Sequence, residues 1–143
     1  MEEIKIQIPV KKYTYDELPE KLELLKEAAL EAAENAYAPY SNFQVGAAVL
    51  LENGTVVKGS NQENAAYPSG LCAERVALFY AHSTYPNMPI DTLAVVAVSE
   101  GEIVEEISPC GGCRQVMLEY ESKFNKAFNL ALFNENFVYL FEK

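Results

Sequence analysis

The sequence predicts an α/β protein in which helices cover a mixed sheet. Helical and strand patterns alternate in the order helix, hairpin, helix, strand, helix, strand, strand, as in layered α/β folds. The chain has 143 residues, of which 50% are hydrophobic and 22% are charged, a length and balance that suit one hydrophobic core. No repeat or linker divides it, so we expect a single domain over residues 1–143.

The first predicted elements are an edge strand and a long helix. Apolar residues alternate with polar ones from Ile4 to Val10, the period-two pattern of a half-buried strand. Pro9 has no amide hydrogen, which places this strand at a sheet edge or against a partner chain. Apolar residues then recur at helical spacing from Asp16, a potential helix cap, to Tyr37, and a proline ends the helix two residues later.

A hairpin and a second helix are predicted next. Residues 44–51 have the pattern of a buried strand, and Asn53-Gly54 is a strong hairpin turn into a strand over residues 55–59. A loop over residues 60–71 contains proline and glycine. It leads to a helix over residues 72–82.

The remaining elements are strands around a third helix. Residues 92–99 form an apolar, β-branched run typical of a central strand, and residues 103–107 predict a short irregular extension. Pro109 opens a helix that reaches about Phe124. Strands over residues 129–133 and 137–141 flank an Asn-rich turn.

Charge and hydropathy exclude several classes of function. The net charge is -10, with no block of Lys or Arg, so a polynucleotide partner is disfavoured and a neutral small molecule is compatible. No stretch approaches the ~20 apolar residues that span a bilayer. The first twelve residues lack the apolar core of a signal peptide. We therefore expect a cytoplasmic protein with no membrane partner.

The three cysteines indicate a metal site. Their odd number, without a secretory signal, argues against a disulfide scaffold. Cys110 and Cys113 are three residues apart at a predicted helix start, so both sulfurs can reach one ion. Cys72 begins another helix, and helix N-termini stabilise the thiolates that bind zinc. Three protein ligands with one open position is the pattern of catalytic zinc, although a carboxylate as a fourth ligand stays open as an alternative.

Two charged residues next to Cys72 could assist catalysis. If Cys72 is the helix cap, Glu74 lies in the first turn, where its carboxylate reaches past the metal. A carboxylate beside zinc-activated water can accept a proton and return it to substrate nitrogens. Three thiolates on Zn²⁺ leave a formal charge of -1, and Arg75 is the candidate cation that draws electron density from the sulfurs.

The motifs resemble those of a known family. Cys72-Ala73-Glu74 followed by Pro109-Cys110-Gly111-Gly112-Cys113 is similar to the zinc deaminase signature in its three-cysteine form. Residues 37–48, 61–75 and 109–115 each resemble the small, homotetrameric cytidine deaminases, in register over about residues 25–120. The resemblance implies a three-layer α-β-α fold with a mixed sheet of roughly five strands. It also implies one Zn²⁺ per chain and a homotetramer with pockets shared between subunits.

The resemblance further implies an activity and a set of site residues. The activity is hydrolytic deamination of cytidine and 2′-deoxycytidine in pyrimidine salvage. Zinc would be held by the three cysteines, protons moved by Glu74, and the thiolates hydrogen-bonded by Arg75. Six positions would recognise substrate: Phe43, Asn61, Glu63, Ala65, Tyr67 and Ala73. The asparagine and glutamate would bond the ribose 3′-hydroxyl, the phenylalanine would stack near the base, and the backbone of the last alanine would touch the pyrimidine. The other alanine and the tyrosine would reach a neighbouring subunit's pocket.

The sequence departs from the family pattern at one place, and three alternative functions are compatible with parts of it. Family chains continue past the last strand with a helix that closes a neighbour's pocket, and we expect that helix to be absent here. A thiol redox protein using Cys110 and Cys113 would leave Cys72 and Glu74 unexplained. A non-catalytic zinc domain would have four ligands. A deaminase of another cytosine compound would keep the metal site and differ in the sugar contacts.

Overall fold

A seven-stranded mixed sheet organises residues 1–143, all of which the computed structural model describes. The strands are β1 (Lys11–Thr14), β2 (Phe43–Leu51), β3 (Val56–Ser60), β4 (Ile90–Ser99), β5 (Glu102–Ile103), β6 (Asn129–Phe133) and β7 (Phe137–Phe141). The α-helices are α1 (Glu20–Glu34), α2 (Ala73–Thr84) and α3 (Gly111–Phe124). The strand order is β1-β7-β6-β4-β2-β3, and β5 pairs with β4.

The sheet is larger than the roughly five strands expected. Only β4 and β6 run parallel, and every other pairing is antiparallel. The two strands beyond that number are β1, which pairs with β7 at the sheet edge, and the two-residue β5. The first pairing joins segments more than 120 residues apart, so no local pattern announces it.

The helices form outer layers on the two faces of the sheet, as the three-layer expectation required. On one face, α1 buries Leu22, Leu25 and Ala29 against Phe133 and Val138. On the other face, buried residues of α2 and α3 pack with those of the central strands: Ala47, Val49, Ala77, Leu78, Leu93, Val95 and Met117. None of the three helices combines the length and the apolar composition that crossing a bilayer requires.

Three of the predicted elements begin or end at other residues in the structure. The first strand begins at Lys11, and residues 4–10 lie outside the sheet, since Pro9 cannot donate to a ladder. A 3₁₀ turn occupies residues 15–17, and α1 begins only after Pro19, because a residue before proline disfavours helical backbone. The extension predicted over residues 103–107 is reduced to β5. At its other end, α1 stops at Glu34, three residues before the predicted Tyr37. The other strands and helices agree within about two residues.

Candidate active site

Three thiols meet where the N-termini of α2 and α3 converge. Cys72 is the N-cap of α2, Cys110 is the N-cap of α3, and Cys113 lies in the first turn of α3. The Sγ atoms of Cys110 and Cys113 are 3.4 Å apart, those of Cys72 and Cys110 are 3.8 Å apart, and all three lie within 4.8 Å. Two thiolates bound to zinc at ~2.3 Å with tetrahedral angles lie ~3.8 Å apart. The cluster therefore has the size of a zinc site.

The cluster also has the composition of an open zinc site. The group of potential metal ligands contains the three thiols and no carboxylate or imidazole, so no acidic fourth ligand is in place. The only histidine, His82, lies in the last turn of α2, where its Nε2 is 2.6 Å from Lys123 Nζ. One coordination position is thus left for a small molecule, as in catalytic rather than structural zinc sites.

The electrostatics of the thiols follow from their positions. The Cys113 amide donates to Cys110 Sγ at 3.4 Å, and this bond is the main reason that the pKa of Cys110 is lowered. Cys113 is fully buried, and burial, assisted by the Glu74 charge, raises the pKa of its thiol. The positive ends of two helices face the sulfurs and favour the thiolate form that a metal requires.

Glu74 is a buried carboxylic acid in the first turn of α2. Only 6% of the residue is exposed, and burial raises the pKa of its carboxyl. Hydrogen bonding to its own amide and to Cys113, and the charge of Arg75, offset part of that rise. Raising a carboxyl pKa towards neutrality makes the group able to both take and return a proton.

Arg75 lies against the thiols from the same helical turn. Its Nη2 donates to Cys72 Sγ at 3.4 Å, and hydrogen bonding to that sulfur raises the pKa of the guanidinium despite its partial burial. Its Nε is buried and has no hydrogen-bond partner. A fixed cation at this position balances the negative charge of a three-thiolate site.

Asn61 and Glu63 connect the loop before Cys72 to the start of β2. The Asn61 side chain accepts from the Val45 amide at 2.8 Å and donates to the Phe43 carbonyl at 2.9 Å. Backbone bonds between Gln62 and Leu71, at 2.9 and 3.0 Å, fix this loop beside the Cys72 cap. Both polar atoms of Asn61 are therefore engaged within the chain.

Glu63 has partners that sequence reasoning missed. Its Oε1 accepts from the Tyr40 and Ser41 amides at 3.0 and 3.1 Å, and its Oε2 accepts from the Ser41 hydroxyl at 2.6 Å. These bonds, chiefly that of the hydroxyl, lower the pKa of Glu63. No spacing in the sequence links residues 41 and 63. The only local indication of this contact was a serine just before a predicted strand.

The remaining predicted site residues lie on the surface or in the core around this loop. Phe43 opens β2 and is partly exposed, and Ala73 is fully buried in the first turn of α2. Ala65 and Tyr67 are exposed, and 91% of the tyrosine is accessible. In the single chain, the Tyr67 side chain is therefore open to solvent.

Fold and site together define an α/β protein with a three-thiolate zinc centre beside a buried acid. Residues 19–127 match the family described as the cytidine and deoxycytidylate deaminase zinc-binding region. The chain belongs to this family, as its motifs suggested, and zinc is the metal of the thiol cluster.

Individual relatives agree with this assignment. The cytidine deaminase of Halalkalibacterium halodurans is 49% identical over 96 residues, which cover 67% of this chain and 68% of the relative. The crystal structure of cytidine deaminase from Burkholderia pseudomallei superposes with a TM-score of 0.67 at 41% identity, covering 81% of this chain and 89% of that one. The enzyme from Mycobacterium tuberculosis gives a TM-score of 0.63 at 39% identity, covering 79% and 84%.

Proposed function

We propose that this chain deaminates cytidine and 2′-deoxycytidine, consuming water and releasing uridine or 2′-deoxyuridine and ammonia. The observation that carries the proposal is a buried Glu74 next to three sulfurs at zinc-binding separation. Zinc, when bound, supplies the acidity that makes water a nucleophile near neutral pH. The chain's own residues then handle protons, charge and substrate orientation.

Glu74 moves the protons in this scheme. Its carboxylate takes a proton from the attacking water and gives it to N3 of the cytosine ring as the C4–O bond forms. It then transfers the proton of the new C4 hydroxyl group to the exocyclic amino group. The C4–N4 bond breaks, and ammonia leaves. Arg75 holds Cys72 and keeps the site close to neutral, which favours the loss of a proton from water.

The loop and the start of β2 would select the nucleoside. We assign ribose recognition to Asn61 and Glu63, stacking near the base to Phe43, and a backbone contact with the pyrimidine to Ala73. The bonds of Asn61 to Val45 and Phe43 also hold this loop against β2. Glu63 accepts three bonds within the chain and has one of its about four acceptor sites left for the 3′-hydroxyl. When the sugar is missing, Glu63 keeps its bonds to Tyr40 and Ser41 but loses the charged hydrogen bond to the 3′-hydroxyl, at a cost of about 1.5–3 kcal/mol.

A substrate series tests the proposal. Holoprotein with cytidine should yield uridine and ammonia in equal amounts, with comparable kcat/KM for deoxycytidine. Free cytosine should be about ten- to a hundredfold poorer, because it cannot form the hydrogen bond between the ribose 3′-hydroxyl and Glu63. Cytidine monophosphate should also be poor, because the acidic chain repels phosphate. A preference for single-stranded DNA, or metal-free protein with a reversible Cys110–Cys113 disulfide, would contradict the assignment.

The assembly belongs to the same proposal. Ala65 and Tyr67 are exposed in the single chain, which supports a homotetramer in which they complete a neighbouring pocket. A cytoplasmic enzyme of pyrimidine salvage suits such an assembly and a neutral nucleoside substrate. Light scattering at micromolar concentration should give four chains per particle, whereas a fully active monomer would show that each pocket is complete in one chain.

A further inference from the structure

The segment before β1 leaves apolar side chains in water. Residues 2–10, which we name the arm, lie outside every helix and strand, and none of the chain's loop backbone hydrogen bonds involves them. Ile4, Ile6 and Ile8 are 77%, 84% and 73% exposed. The arm leads directly into β1, whose outer edge no other strand covers. An apolar, unpaired strand edge of this kind is a template for another chain.

The charges of the arm and β1 specify a partner. Two acids begin the segment and two lysines end it, with alternating apolar residues between them. If two copies pair antiparallel about Gln7, four of the opposite pairs are complementary: Glu2 with Lys12, Glu3 with Lys11, Ile4 with Val10, and Ile6 with Ile8. Opposite charges and β-branched pairs placed directly across two strands are stabilising.

Other registers lose this complementarity. Moving the centre of symmetry by one residue, to Ile6 or Ile8, removes both Glu–Lys pairs. Placing it between two residues sets isoleucines against polar side chains, because a one-residue slip exchanges the faces. Only the register about Gln7 satisfies the charges and the apolar face together.

The lysines remain available for this pairing. Lys11 Nζ contacts Glu142 at 2.8 Å, but 56% of its side chain is exposed, and an ammonium group has three donors for more than one carboxylate. Lys12 Nζ lies 4.0 Å from the centre of the Phe137 ring and forms no ion pair within its own chain, so its charge is available to a partner's carboxylate.

We infer that the arms of two copies pair as antiparallel strands about Gln7 and join the two sheets edge to edge. The contact is isologous, so each copy supplies the same surface. Lys11 lies opposite Leu140, one residue before β7 ends, and Pro9 has no amide hydrogen to extend that ladder, so the arm is free for a second copy. This interface does not depend on the deaminase activity.

A cysteine at the symmetry centre tests the inference. In zinc-loaded full-length Gln7→Cys, incubated at low micromolar concentration with oxidised glutathione, the two new thiols should form a disulfide dimer on a non-reducing gel. Glu3→Cys should cross-link at least tenfold more slowly, since its two copies are far apart in this register. The parent chain, with its thiols on zinc, should give no dimer band.

Second substitutions in the Gln7→Cys background show whether cross-linking depends on the proposed register or results from random collisions. Glu3→Lys and Ile6→Asp should each slow cross-linking at least fivefold. Lys5→Glu, the matched control, should leave it within twofold, because Lys5 lies opposite Pro9 and has no charged partner. Equal cross-linking at positions 3 and 7, or none at position 7, would overturn the inference.

Discussion

At the residue scale, the spacing of the cysteines predicted the metal site, but it did not predict the hydrogen bonds that hold Glu63. Cys72, Cys110 and Cys113 could be grouped because two lie three residues apart and all begin helices. The bonds of Glu63 to Tyr40 and Ser41 could not be foreseen, since they join loops that only the folded backbone brings together. Side-chain chemistry is thus readable locally, whereas hydrogen-bond partners are a property of the tertiary structure.

Ser41 controls the ionisation of Glu63. The Ser41 hydroxyl is the main cause of the lowered pKa of Glu63, whose ordinary value is 4.5. A pKa that is lower in the folded state gives stability that is present above the unfolded value and is lost as pH falls through the folded value. In Ser41→Ala, the Glu63 pKa should rise towards 4.5.

An NMR titration of the Glu63 carboxyl carbon measures this effect. The matched control is Ser122→Ala, an exposed serine on α3 whose side chain makes no hydrogen bond to Glu63. It should leave the titration midpoint unchanged. An unchanged midpoint in Ser41→Ala would show that the amides alone set the ionisation.

At the scale of elements, periodic patterns found most of the helices and strands. Strands over residues 129–133 and 137–141 agree with β6 and β7, because alternation and turn residues are local signals. The start of α1 was placed three residues early, with the cap at Asp16 instead of Pro19. Apolar spacing continued through Leu18, but Pro19 decided the helix boundary. The pairing of β1 with β7 depends on long-range contacts and could not be read from either segment.

Gly59 sets how closely α2 packs on β3, and thereby where Cys72 and Glu74 lie. A Cβ built at Gly59 would be 2.5 Å from the Ala77 amide nitrogen, which is backbone and cannot move aside alone. Gly59→Ala should destabilise the fold by about 1–3 kcal/mol, the usual cost of overpacking, and lower turnover by displacing α2.

Denaturant unfolding and kcat/KM together check the prediction for Gly59. The control is Lys58→Ala, which removes only an exposed ion pair with Glu31 at 3.1 Å and should change stability by less than about 1 kcal/mol. Wild-type stability in Gly59→Ala would mean that α2 has room to withdraw from the sheet.

At the scale of the whole molecule, the layered fold places the N-termini of α2 and α3 side by side, where their cysteines can bind one zinc. Cys72 and Cys110 are 38 residues apart and come within 3.8 Å because α2 and α3 lie on the same face of the sheet. The sequence could predict that both helices follow strands, and family resemblance supplied the expected layers. Neither the sequence pattern nor the resemblance predicted the seven-stranded sheet or the unpaired arm, because both depend on long-range pairing at the edges of the sheet.

In the proposed mechanism, a three-thiolate zinc and Glu74 together deaminate a nucleoside. The most direct test is to measure zinc content and cytidine turnover in the wild type and in Glu74→Gln, prepared identically. Both proteins should bind one zinc per chain with all three thiols protected, because Glu74 is not part of the thiol cluster. Glu74→Gln should lose at least ~10²-fold in kcat, since the amide cannot accept the proton of water. Near-normal turnover in this variant, or active wild type with three freely reactive thiols, would contradict the account.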